Sequence, residues 1–110
     1  MRPDGATDIN GGSTELTLGP VRLCRRRRTV WVGEEEVRLT PKEFDLLGYL
    51  MERPDRPVSR DVLLADVWGF LSPGETRTIE VHVGHVRRKL GRPDFIRTVR
   101  GVGYQAVSAP

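Results

Sequence analysis

The stretch Thr76 to Leu90, TRTIEVHVGHVRRKL, constrains the fold of this chain more than any other. Ile79, Val83, Val86 and Leu90 recur at steps of four, three and four residues, which at about 100° per residue confines them to a narrow arc. That spacing predicts one buried helix face. The opposite side collects Arg77, Val81, Gly84, His85 and Arg88, with Arg87 and His82 on its two flanks. This outer face is basic, nearly free of acid, and small at its centre. A helix held by its apolar stripe with such a face outward fits the DNA major groove, which is wide enough to admit it. An ordinary solvated basic face is the plain alternative for an isolated amphipathic helix.

The rest of the chain bounds that choice. Its 110 residues make one domain, long enough to bury a core without covalent staples. The single cysteine, Cys24, excludes an internal disulfide and reads as a small core residue. No His/Cys cluster has metal-ligand spacing, so neither a structural zinc nor another cofactor is expected. No apolar run has the length of a membrane span and no hydrophobic signal segment opens the sequence, so a soluble cytoplasmic protein without membrane partners is expected. Charge is unevenly placed. Between Thr76 and Tyr104 seven Lys/Arg stand against Glu80 and Asp94, while the whole chain carries only +3. Positive charge gathered at one end of a small domain is the electrostatic footprint of a polyanion binder.

Taken in order, residues 1–14 are rich in Gly, Asp and Thr and read as a flexible tail or linker remnant. The pairs Leu16 and Leu18, Val21 and Leu23, Val30 and Val32, and Val37 and Leu39 then alternate as four short antiparallel strands. Arg25 to Arg28 lies between two of these strands and is assigned to a solvated hairpin turn instead of a phosphate-binding or targeting run. Thr40-Pro41-Lys42-Glu43 is a helix start with Thr40 as N-cap, Pro41 at N1 and Glu43 closing a capping box. Phe44, Leu46, Leu47, Leu50 and Met51 supply that helix's buried face. Arg53-Pro54 ends it. Pro57-Val58 is a short extended connection, after which Ser59 caps a helix over Arg60 to Trp68, buried through Val62, Leu63, Val67 and Trp68 and stopped by Gly69. Phe70 to Glu75 is a loop into the Thr76 to Leu90 helix. Gly91 ends that helix, and Phe95 to Val99 and Gly103 to Val107 form a hairpin around Arg100 to Gly103. Residues 108–110 are a C-terminal tail.

A helix, a loop, a second helix with a basic outer face and a basic hairpin make a winged helix-turn-helix, an α+β fold. In LTPKEFDLLGYL (Leu39 to Leu50), SRDVLLADVWG (Ser59 to Gly69), TRTIEVHVGHVRRKLG (Thr76 to Gly91) and IRTVRGVGYQ (Ile96 to Gln105) the sequence resembles the winged-helix effector domain of OmpR/PhoB-type response regulators. The resemblance covers about Glu15 to Val107. It implies a four-stranded N-terminal sheet, three helices and a C-terminal β-hairpin wing, with the third helix in the major groove. It implies transcription regulation in a bacterial cytoplasm, with the protein on the nucleoid when bound. Carried over by position, Arg77, Thr78, His82, Arg87 and Arg88 approach phosphates or bases, Thr98 and Arg100 lie in the wing, and Trp68 packs beside the DNA backbone contact. The loop Phe70, Leu71, Ser72, Pro73, Gly74 and Glu75 matches the family's RNA polymerase contact. Such a domain is expected to be a monomer alone and to pair on direct-repeat half-sites.

Two departures matter. The sequence holds no receiver domain and no phosphorylatable aspartate pocket, as expected of an excised effector domain or a stand-alone relative. Gly84-His85-Val86 stands where the family usually carries larger polar or basic residues followed by Leu. On this chain's own residues, exposed Val81 would touch thymine methyl groups, Gly84 would let the backbone approach DNA, and His85 would offer a donor or acceptor to a base edge. Alternatively Val81 packs under the preceding loop and Gly84 has no role. Catalysis is not expected, because His82 and His85 have no nucleophile, paired carboxylate or phosphate loop around them. A winged helix used only for protein contacts is the remaining alternative.

Overall fold

The computed structural model describes residues 14–69 and 76–108, and of residues 76–78 the backbone alone. The expected tails therefore fall outside the described residues except for Thr14 and Ser108. The loop Phe70 to Glu75 falls outside them as well. Four antiparallel strands, β1 (Glu15–Leu18), β2 (Val21–Cys24), β3 (Thr29–Val32) and β4 (Glu35–Val37), form a meander in the order β1-β2-β3-β4. Alternation explains the sheet: Leu18, Val21, Leu23 and Val30 point into the core, and Arg22 pairs with Trp31 on the opposite face. Cys24 is on that outer side and half-buried, which corrects its expected place in the core.

Helix α1 (Pro41–Met51) begins as expected. Thr40 accepts from the Glu43 amide and Glu43 accepts from the Thr40 amide, so two otherwise unpaired donors are satisfied. Phe44, Leu46, Leu47, Leu50 and Met51 are all buried. The arginine turn is less solvated than its composition suggests. Arg25 pairs with Glu52 and Arg28 with Asp45, and the Arg28 guanidinium lies 4.2 Å over the Phe44 ring. Two of the four cations thus tie the sheet to α1, while Arg26 and Arg27 remain exposed.

Strand β5 (Val58–Ser59) follows, where only an extended connection was expected, and pairs with the C-terminal hairpin. Helix α2 (Arg60–Leu63), capped by Ser59, runs into a π-helical turn (Leu64–Trp68). Here the Gly69 amide reaches back to the Leu64 carbonyl, and Gly69 takes φ 80°, a left-handed conformation that suits glycine. Leu63, Leu64 and Trp68 are in the core, whereas Val62, expected there, is 41% exposed. Helix α3 (Thr76–Leu90) packs on α1, and strands β6 (Ile96–Val99) and β7 (Gly103–Ala106) complete a second sheet in the order β5-β7-β6. One continuous core joins both sheets and the helices.

Candidate nucleic-acid interface

Helix α3 presents its outer face because its inner one is fully engaged. Ile79, Val83, Val86 and Leu90, the four residues picked out by periodicity, are all buried. Polar contacts fix the helix further. Glu43, 2% exposed at the start of α1, accepts from Lys89 Nζ at 2.7 Å and lies 3.2 Å from His85 Nδ1. Burial pushes the Glu43 carboxyl up, but the Lys89 ammonium, the Thr40 amide and His85 outweigh it and hold its pKa below the ordinary carboxylate value. On the other side, Glu80 accepts from the Arg60 guanidinium at 2.6 and 3.1 Å and from the Tyr104 hydroxyl at 3.4 Å. The Arg60 bond, despite some burial, keeps the Glu80 carboxyl below its ordinary pKa. Both acids are thereby paired within the domain, Glu43 in the interior and Glu80 at the surface.

What remains outward is basic and small. Val81 is 51% exposed, so it does not pack beneath a described segment. Gly84 is exposed, with nothing within 4 Å of where a Cβ would stand. Packing among the described residues does not require glycine there. Arg88 is exposed, and no carboxylate among the described residues pairs with it. His82 is half-buried, its ring edge-on to Trp68 at 5.2 Å and 86°. The side chains of Arg77 and Thr78 lie outside the described residues.

The wing stands beside this helix. Its turn closes through the Val102 amide donating to the Val99 carbonyl, with Gly101 at φ 79°, the positive φ that a type II turn requires at its third residue. Arg97, Thr98 and Arg100 are exposed on the hairpin. Arg87 joins wing to helix. Its guanidinium donates to the Ile96 carbonyl at 3.0 and 2.7 Å and to Thr98 Oγ1 at 2.8 Å. Arg87 and Thr98, both read from the sequence as DNA contacts, are here bonded to each other and set the angle between helix and wing.

Trp68 is buried, as expected of a residue that seats its helix in the core. At 5% exposure its indole belongs to the core, over which Lys42 extends to the Val67 carbonyl, so it supports His82 and presents little surface of its own. The sequence reading missed Lys89, and it gave Glu43 a capping role alone. The capping box was visible in the local pattern, but its bonds to α3 join residues 42 and 46 positions apart.

A family model described as "Transcriptional regulatory protein, C terminal" matches residues 33–106. The chain belongs to this family. Its relatives there are OmpR/PhoB-type response regulators. The transcriptional regulatory protein BasR of Escherichia coli is 44% identical over 99 residues, covering 90% of this chain and 44% of BasR. The phosphate regulon regulator PhoB of Rhizobium meliloti is 46% identical over 99 residues, covering 87% of this chain and 44% of that protein. The chain thus spans less than half the length of these relatives. Among solved structures, the Klebsiella pneumoniae RstA DNA-binding domain in complex with the RstA box superposes with a TM-score of 0.77 at 30% identity, covering 86% of this chain and 97% of that one. The DNA-binding domain of CpxR from E. coli gives 0.76 at 34% identity, covering 87% and 98%. The four-stranded sheet, three helices and wing are the winged-helix arrangement of this family.

Proposed function

We propose that this domain binds double-stranded DNA sequence-specifically as the effector domain of a bacterial response regulator or a stand-alone relative, with α3 in the major groove and the Arg100 turn in the minor groove. The observation that carries this reading is the disposition of charge. Arg88, Arg97 and Arg100 project without acidic partners among the described residues, while Glu43 is buried on Lys89 and the exposed Glu80 is paired with Arg60. The RstA domain, of the same fold, was solved on its DNA box. Val81, His82, Gly84 and His85 form the base-facing centre of the helix, and Arg77, Thr78 and Arg88 reach for phosphates or base edges. One such helix reads a short half-site, so two copies bind direct repeats about one DNA turn apart. The loop Phe70 to Glu75 is the position from which RNA polymerase would be met, and the protein works in the bacterial cytoplasm.

Salt dependence tests the proposal. If about five phosphates are neutralised, log K falls with log salt at a slope near −4.5, and affinity drops about 500-fold between roughly 50 and 200 mM salt. In the same titration Arg100→Ala lowers the slope by about 0.9, and its loss is greatest on sites with A·T-rich flanks, whose narrow minor groove attracts arginine. A flat titration would mean that the fold serves protein contacts instead.

Gly84→Ala separates stability from function. Open space around Gly84 and the higher helix propensity of alanine predict about 1 kcal/mol of added stability, measured by denaturant unfolding. DNA affinity falls, because the added methyl holds the backbone away from the base edges. Tighter or unchanged binding would remove Gly84 from the interface.

A further inference from the structure

On the reading that α3 faces DNA, we propose that His85 is a specificity-determining residue. Its Nε2 accepts a hydrogen bond from the exocyclic amino group of an adenine or cytosine in the major groove, and Glu43 sets this preference by holding the ring proton on Nδ1. The inference deepens the DNA-binding reading, and it starts from a bond inside the protein.

Glu43 Oε2 lies 3.2 Å from His85 Nδ1. An ionised carboxylate only accepts hydrogen bonds, and this one is kept ionised by Lys89 Nζ at 2.7 Å and the Thr40 amide at 2.9 Å, both on Oε1. Nδ1 must therefore donate. A neutral imidazole has one donor and one acceptor nitrogen, so Nε2 is the acceptor. Its direction follows from burial. The Glu43 side chain is 2% exposed and that of His85 40%, so the ring edge turned away from Glu43, which carries Nε2, is the edge open to the outer face. Gly84, without a side chain, and exposed Val81, one turn earlier, leave that edge accessible.

Two neighbouring lysines are engaged within the protein, which leaves exposed Arg88, about one turn further on, as the cationic donor beside His85 among the described residues. Lys89 is spent on Glu43, Lys42 of α1 extends to the Val67 carbonyl, and the His82 ring is 6.4 Å from the His85 ring, centroid to centroid, and edge-on to Trp68. In the major groove, adenine N6 and cytosine N4 donate, whereas guanine O6 and N7 and thymine O4 accept and would meet the Nε2 lone pair. An arginine at this position would choose guanine. His85 with its carboxylate partner chooses against it.

The test uses the 110-residue chain. Nitrogen-15 NMR of the histidine rings at about pH 8, where histidines are generally neutral, reports the tautomer directly. The expected result is a His85 ring protonated on Nδ1, and a mixture of tautomers in Glu43→Gln, which retains the capping box because glutamine also serves at that position. Selection of sites from random DNA is then compared between the native chain and His85→Ala. One base position, adenine or cytosine in the native selection by about tenfold, loses its preference in His85→Ala while the others persist. Guanine or thymine at that position overturns the inference, as does a His85 ring protonated on Nε2, or a His85→Ala selection identical to the native one. Failure to select any DNA overturns the parent reading instead.

Discussion

Gly103→Ala is expected to destabilise the domain by roughly 4 kcal/mol or more, a loss confined to substitutions with a specific steric cause. Gly103 pairs with Ser59 where β7 meets β5. A Cβ added there would stand 1.9 Å from the Val58 carbonyl oxygen and 2.9 Å from both the Val58 carbonyl carbon and Ser59 Cα. These are backbone atoms, so no side-chain rotation relieves the clash. Accommodation requires β5 to leave the sheet, which uncovers buried Val58 and frees the backbone leading into Ser59, the N-cap of α2. Denaturant unfolding measures the loss. A change below about 1 kcal/mol would mean that β5 is not a fixed strand. Gly103 has an ordinary φ, so a left-handed turn does not explain this glycine; the close approach of a third strand does.

That third strand also marks where sequence reasoning stops. The periodicity of Ile79, Val83, Val86 and Leu90 located a buried face, because one side of an α-helix repeats at a fixed interval whatever it packs against. The Thr40 and Glu43 capping box was equally legible, since both partners lie within four residues. A two-residue strand such as Val58–Ser59 has no alternation to detect, and it becomes a strand only because β7 lies beside it. Val62 is outward for a simpler reason: at about 100° per residue it lies about 160° from Leu64, so a helix that buries Leu63 and Leu64 turns it to the surface.

The interface divides along the same line. Exposure of Val81, Gly84, Arg88 and Arg100 follows from helix phase and hairpin position, both readable locally. The internal engagement of Arg87, His85 and Lys89 does not. An arginine that clamps a wing and an arginine that grips a phosphate are identical in sequence. Only the Ile96 carbonyl and Thr98 hydroxyl within 3.0 Å of its guanidinium distinguish them.

Lys89→Met is expected to lower stability at neutral pH by about 2 kcal/mol, well beyond what an ordinary surface lysine contributes. The reason is its partner. Methionine preserves most of the aliphatic stem but removes the ammonium from a carboxylate that is almost wholly inaccessible to water. Glu43 keeps the Thr40 amide and His85 as partners, which limits the loss. The sign of its pH dependence follows from linkage. Burial raises the Glu43 pKa and Lys89 is the leading opposing influence, so the native group ends below its unfolded value. Its stabilising contribution is therefore fully present above the unfolded pKa and disappears as pH falls through the folded one. Without Lys89 the balance moves toward burial, the folded pKa rises, and Glu43 protonates earlier on acidification. The difference between Lys89→Met and the native chain is thus greatest near neutrality and closes in acid, once Glu43 is protonated in both. Unfolding free energies measured between about pH 7 and pH 3 test this. A difference independent of pH would show that Lys89 acts through helix propensity or its stem, and that the Glu43 carboxylate is held without it.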